Sequence, residues 1–175
     1  MTALAVPARS ISIATGRWYK GLVMSFLDHK IPPPFVMLSV AALMWAGHWW
    51  LGERISYSPL LYIGIALCAV AFALAFSALG NFRRARTTPS PIAIHLAEKL
   101  VISGPYRFSR NPMYFSLVVL LIGITAILGD AWLLVGPAIL ALFIQRFQIL
   151  PEERVMLEKF GANYQTYCLR VRRWI

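Results

Sequence analysis

LLYIGIALCAVAFALAFSAL, residues 60–79, is twenty consecutive positions without a lysine, arginine, aspartate or glutamate. A helix rises about 1.5 Å per residue, so such a run matches the roughly 30 Å hydrocarbon core of a bilayer. Three further runs free of those residues accompany it, at 35–51, 113–128 and 131–145. The first reaches bilayer length with slight help from its flanks. The other two are short, about 24 Å or less as helices. Only Gly129 and Asp130 separate them, which leaves room for a tight turn. They are expected to form a helical hairpin that thins the membrane locally or does not fully cross it. The last run is expected to continue past Arg146 to Leu150, with the arginine snorkelling to the interface. The fold class is therefore all-α. It is a polytopic membrane protein with about four transmembrane helices, the third and fourth a hairpin, and a cytoplasmic C-terminal helical segment.

Composition agrees. Of 175 residues, 59% are hydrophobic and 14% charged, whereas soluble domains carry about 25% charged residues. This counts against an ordinary water-soluble fold and excludes disordered, collagen-like and disulfide-framework classes. Cys68 and Cys168 lie far apart and form no metal or redox motif; Cys68 reads as packing and Cys168 as a free thiol. The net charge of +10 would suggest nucleic acid in a soluble protein. Here its distribution points to the lipid bilayer, and no nucleic acid partner is expected. Residues 1–34 carry +3, residues 80–112 carry +5 and residues 146–175 carry +3, while the intervening links are neutral or acidic. By the positive-inside bias, both termini and the long middle loop face the cytoplasm. Arg9 and Arg17 interrupt any signal-peptide core, so no cleavable signal is expected. Residues 21–30 are expected to form an interfacial helix before Pro32-Pro33-Pro34 stops it. Gly64 and Cys68, and Ala71 and Ala75, are spaced for close helix packing. The organisation expected is an N-terminal segment 1–34, a two-helix scaffold 35–79, and a chemistry-bearing region 80–175.

Two cytoplasmic segments hold the informative residues. The first reads Ser103-Gly104-Pro105-Tyr106-Arg107-Phe108-Ser109-Arg110-Asn111-Pro112-Met113-Tyr114. Gly-Pro marks a turn. Asn111 is expected to cap a helix that opens on Pro112. That explains the helix start and leaves the density of Tyr, Arg and Gly before it unexplained. A helix start at the membrane surface offers N–H groups to an anion, and neighbouring aromatic rings hold a flat base or a cation. The second segment runs Arg146-Phe147-Gln148-Ile149-Leu150-Pro151-Glu152-Glu153-Arg154 and continues through Phe160-Gly161, Tyr164 and Tyr167 to Arg170-Val171-Arg172-Arg173-Trp174. Pro151 followed by two acids reads as a helix first turn. It reads equally as an acidic pair able to bind a cationic or hydroxyl-bearing ligand, and the spacing does not decide between them.

Together the two segments resemble the isoprenylcysteine carboxyl methyltransferase and phospholipid methyltransferase superfamily of integral membrane enzymes. Its pattern is Gly-Pro-Tyr-Arg-x-x-Arg-His/Asn-Pro-x-Tyr, a hydrophobic hairpin, Glu-Glu, Phe-Gly-x-x-Tyr-x-x-Tyr and a basic-aromatic tail. The likeness covers about residues 80–175. It implies methyl transfer from S-adenosyl-L-methionine in a pocket outside the Rossmann fold, and no Gly-x-Gly-x-x-Gly fingerprint is present. The residues it implies for the cofactor are Gly104, Tyr106, Asn111, Pro112, Met113, Tyr114, Glu152 and Glu153. Arg107, Arg110, Tyr164, Tyr167 and Arg170 are second choices. Glu152 is the candidate for polarising the acceptor or holding the donor's ammonium, and Arg146 the candidate for an anionic acceptor group. Three departures stand out: Asn111 where many members have His, Ser116 where a Gly often follows the Tyr, and Gln148 where isoprenylcysteine enzymes place an Arg. A prenylcysteine carboxylate is therefore disfavoured as acceptor.

The expected function is methyl transfer to a lipophilic or small apolar acceptor at the cytoplasmic membrane face. Two rivals are a nicotinamide-dependent membrane reductase, which has a related C-terminal layout, and a small four-helix transporter. No charged residue lies inside any of the four runs, which counts against coupled transport. His48, beside Trp49 and Trp50, reads as an interfacial residue. His29 and His95 are isolated, and no histidine pair has metal-ligand spacing, so no metal site is expected. The acceptor and the oligomeric state are not legible.

Overall fold

A computed structural model describes residues 31–51, 58–85 and 100–175. The expected interfacial helix at 21–30, nearly all of the N-terminal segment, and the stretch holding His95 lie outside them. Among the described residues every regular element is helical. Helix α1 spans Pro33–Leu51 and α2 spans Ser58–Ala85. A 3-10 turn, Gly104–Arg107, precedes α3, Pro112–Leu128. A second 3-10 turn, Ala131–Leu134, leads into α4, Val135–Ile144. A π turn, Gln145–Ile149, joins α4 to α5, Leu150–Arg170. Helices α1 and α2 and the helical stretch Ala131–Arg170 are each long and apolar enough to cross a membrane; α3 is a shorter apolar helix.

The element boundaries follow from local chemistry. Helix α1 begins within Pro32-Pro33-Pro34, with Pro33 its first residue; the helix these prolines were expected to stop lies outside the described residues. Proline tolerates a first turn, where its missing N–H has no intrahelical partner to lose. Helix α2 overruns its apolar stretch and carries Arg83 and Arg84 beyond it. Helix α3 ends at Gly129, whose φ of 81° supplies the left-handed residue that closes the helix, its N–H donating to the Thr125 carbonyl.

The largest difference from expectation lies at Pro151, read as the first turn of a separate helix. No break occurs there. Ile149 and Leu150 keep helical dihedrals (φ −64°, ψ −48° and φ −63°, ψ −42°) and the path continues from α4 into α5. A proline inside a helix loses the bond to the carbonyl four residues back and clashes with it. The wider π turn before it, in which the Leu150 N–H reaches back to the Gln145 carbonyl, absorbs that conflict. Glu152 and Glu153 therefore lie along a continuous helical path. Gly161 (φ 50°, ψ −124°) bends α5 midway.

Helices α2 and α3 form the most extensive contact in the fold. Their closest approach is at two glycines: a Cβ on Gly64 would meet the Gly123 carbonyl oxygen at 2.6 Å, and one on Gly123 would meet Cys68 Sγ at 2.7 Å. The small residues of α2 thus permit near backbone contact. A second body of core joins Met37 and Met44 of α1 to Leu121 of α3 and to Leu133, Leu140, Ile144 and Ile149. At one end of the bundle His48 Nδ1 meets the buried Asp130 Oδ2 at 2.6 Å, tying the close of α1 to the hairpin turn. His48, read as an interfacial residue, is thus paired with an acid of the turn. At the other end gather the start of α1, the end of α2, the 103–114 segment, the π turn, α5 and the tail.

Candidate active site

The loop before α3 is built onto the end of α2. Asn81, anchored by its amide donating to the Ser77 carbonyl (2.8 Å), accepts a hydrogen bond from Ser103 Oγ (3.1 Å). Gly104 packs directly on the Asn81 side chain with φ +59°, a position that neither a side chain nor a right-handed residue could fill. The turn then drives Tyr106 inward, where it packs with Ala78 and Val101 and meets the Phe82 ring edge-on at 5.3 Å. Met113 lies against the same cluster. The Tyr106 carbonyl accepts a hydrogen bond from Tyr167 Oη (2.7 Å), which fastens α5 to the turn.

Tyr114, in the first turn of α3, donates its hydroxyl to Glu152 Oε1. The same carboxylate acts electrostatically on the Tyr106 phenol. The fold thus brings Tyr106, Tyr114 and Glu152 together, although the tyrosines and the acid are about 40 residues apart in sequence. Burial pushes the Glu152 carboxyl up to about 7; the Tyr114 hydrogen bond pulls against that rise and neighbouring Glu153 adds to it. Burial likewise pushes the Tyr106 phenol well above its ordinary range, with Tyr167 and Glu152 contributing.

Glu153 faces elsewhere. It is 3% exposed and held by two guanidiniums. Arg173 donates Nε to Oε1 (3.0 Å) and NH2 to Oε2 (2.7 Å), while Arg110 NH2 lies 3.1 Å from Oε1. Arg110 also donates to Cys168 Sγ, a free thiol that burial pushes up. Asn111 occupies the cap position of α3, but its side chain makes no cap bond. Its amide NH2 donates instead to the Arg173 carbonyl (2.9 Å), which turns the side chain toward the tail. Pro112 is fully buried as the first residue of α3. Ser116 is buried and donates to the Met113 carbonyl (2.6 Å). Arg146 lies in the π turn with its guanidinium over the Phe147 ring, 5.3 Å from the centroid. Gln148, one turn before Glu152, is buried and donates to the Ile31 carbonyl (2.8 Å). Of the second choices, Tyr164 and Tyr167 are buried in α5, and Arg107 and Arg170 are exposed. No group of three His, Cys, Asp or Glu residues among those described is arranged to hold a metal.

Two contributors escaped the reading of the sequence. Asn81 follows the apolar run of α2 with nothing around it to mark it as a support for a loop more than twenty residues away. Arg173 belongs to a basic run, Arg170-Val171-Arg172-Arg173, in which composition does not say which cation turns inward.

The sequence model of the phospholipid methyltransferase family matches residues 60–163, which include nearly all of α2 and the Tyr114–Glu152 pair. An uncharacterized protein of Haemophilus influenzae is 41% identical over 63 residues, covering 36% of this chain and the whole of that protein. No solved structure matches the chain.

Proposed function

The chain belongs to the phospholipid methyltransferase family, and on that premise we propose that it transfers a methyl group from S-adenosyl-L-methionine to a lipophilic or small apolar acceptor at the cytoplasmic face of a membrane. The observation that carries this reading is the hydrogen bond between Tyr114 and Glu152, which joins the loop motif to the acidic pair. The donor carries a sulfonium, an ammonium, a carboxylate and an adenine, and the residues at hand suit such a group. The first turn of α3 after Pro112 suits the carboxylate, and the Tyr106 and Tyr114 rings suit a flat base or a sulfonium. Gly104, Asn111 and Met113 shape the same loop. Glu153 contributes to the donor site through the arginines it holds.

When bound, the donor supplies an activated methyl group, and the remaining work is alignment and exclusion of water. A carboxyl raised to about 7 exchanges its proton near neutrality, where a general base is most effective. Glu152 accordingly accepts a hydrogen bond or proton from the acceptor's nucleophilic atom, and Tyr114 orients it. Arg146 receives an anionic group on the acceptor. With three helices able to cross a membrane, a lipid-soluble acceptor approaches sideways through the bilayer while the polar donor arrives from the cytosol. The test is calorimetry on the detergent-purified chain with S-adenosylhomocysteine, followed by labelled donor plus membrane extract. Saturable binding and a labelled extractable product are expected. Binding of a nicotinamide nucleotide in place of S-adenosylhomocysteine would overturn the reading in favour of a reductase.

A further inference from the structure

Building on that reading, we propose that Arg173 is a positioning residue for the methyl transfer, its hold on Glu153 fixing the rotation of the first turn of α5 and so aiming Glu152 at Tyr114. Consecutive helical residues point about 100° apart, so an acidic pair presents one carboxylate or the other to a given neighbour according to how its helix is turned. The π turn at Gln145–Ile149 interrupts the α register just before the pair, so α4 alone does not dictate that rotation. Arg173 supplies a second reference. Its planar fork engages both oxygens of the buried Glu153 carboxylate, at 3.0 and 2.7 Å. A bidentate pair of this kind fixes direction as well as distance.

The same residue also touches the other half of the pair. The Arg173 carbonyl accepts the Asn111 amide at 2.9 Å, three positions before Tyr114, and receives Ser109 Oγ at 3.5 Å. The preceding carbonyl, that of Arg172, accepts the Arg110 N–H at 3.0 Å. Next along the chain, the Trp174 indole N–H donates to Gln145 Oε1 at 2.9 Å, which pins the tail to the π turn itself. Arg173 is therefore bonded on one side to the neighbour of Glu152 and on the other to the segment that opens the helix of Tyr114. Both members of the pair are thus registered to one residue.

The experiment compares Arg173→Gln, Arg173→Lys, Glu152→Gln and the double variant Arg173→Gln/Glu152→Gln in the full-length chain, with two readouts. The first is turnover per folded molecule together with the Kd for S-adenosylhomocysteine. A misplacement of about 1 Å costs up to about 10²-fold in rate, so Arg173→Gln should lose roughly ten- to a hundredfold in kcat. Arg173→Lys, which keeps the charge without the fork, should recover only part of that and serves where Gln does not fold. In the double variant the Arg173 substitution should add nothing to the loss from Glu152→Gln, because the carboxylate it aims is gone. Multiplying losses, or a wild-type kcat in Arg173→Gln, would overturn the proposal. The second readout is amide hydrogen exchange, which needs no turnover. Arg173→Gln should raise exchange at 109–111 and 150–156 and leave 113–128 unchanged; a uniform rise would mean mere destabilisation and overturn the proposal. If the wild-type chain neither binds S-adenosylhomocysteine nor transfers methyl, the functional reading fails, and the exchange pattern still decides whether Arg173 sets these two segments.

Discussion

Glu152 and Glu153 are adjacent in sequence and opposite in circumstance. Glu153 sits between Arg110 and Arg173, nearly inaccessible. Removing one partner of a buried ion pair leaves the other charge uncompensated and costs about 3–5 kcal/mol. Glu153→Gln should therefore lower the melting temperature markedly. Glu152 has a tyrosine hydroxyl for company and a carboxyl raised by burial. Were it only a first-turn acid it would contribute about 0.3–1 kcal/mol through the helix dipole; the uninterrupted path through Pro151 removes most of that rationale. Glu152→Gln should keep the fold and lose roughly 10²-fold or more in turnover, as when an electrostatic group acting at a transition state is removed. Wild-type turnover in both variants would make the acidic pair structural. The raised carboxyl also has a pH consequence. The folded chain keeps the Glu152 proton between the ordinary value of 4.5 and about 7, while the unfolded chain releases it. Its contribution to stability is full below the lower value and is lost as pH climbs to the upper one. Thermal unfolding of the ligand-free protein should show wild type losing stability relative to Glu152→Gln over that interval and no further change above it. A difference that grew with pH beyond 7.5 or so would contradict the assignment.

At the level of helices, the α2–α3 contact is the least forgiving. A side chain at Gly64 meets the Gly123 carbonyl at 2.6 Å and the Ile127 nitrogen at 2.9 Å, and backbone cannot yield as a flexible side chain does. Gly64→Val should cost about 1–3 kcal/mol by overpacking, whereas Gly80→Ala, where a Cβ meets nothing within 4 Å, should be tolerated. Parallel melts of the two variants check this. The close packing was legible from the spacing of small residues, as were the uncharged runs and the turn at Gly129-Asp130, because helix periodicity and turn chemistry act over a few positions. The π turn was not. Pro151 before two acids spells a helix start equally well, and only the surrounding tertiary fold selects continuation. Pairings such as His48 with Asp130, 82 positions apart, or Asn111 with Arg173, 62 apart, leave no local trace. The loop motif and the acidic pair were each legible as segments; which of two neighbouring carboxylates meets the tyrosine depended on Arg173.

For the whole molecule, Arg83, Arg84, Arg107, Arg110, Arg170, Arg172 and Arg173 all belong to segments joined by the bonds at the end where the site lies. From the positive-inside bias we propose that this end faces the cytoplasm. In a background with Cys68 and Cys168 replaced by Ser, a cysteine at the exposed Trp50 position should be labelled from outside intact cells, and one at the exposed Phe108 position should not. Labelling of both, or the reverse pattern, would refute the orientation. The glycine contact between α2 and α3 bears on how an acceptor gets in. Parting two helices that touch backbone to backbone gives up many close van der Waals contacts at once. Helix α1 buries only Pro33, Met37 and Met44 and is fastened near its two ends, by Gln148 to the Ile31 carbonyl and by His48 to Asp130. If a lipid slips between helices to reach Glu152, the door is α1, and those two hydrogen bonds are its hinges.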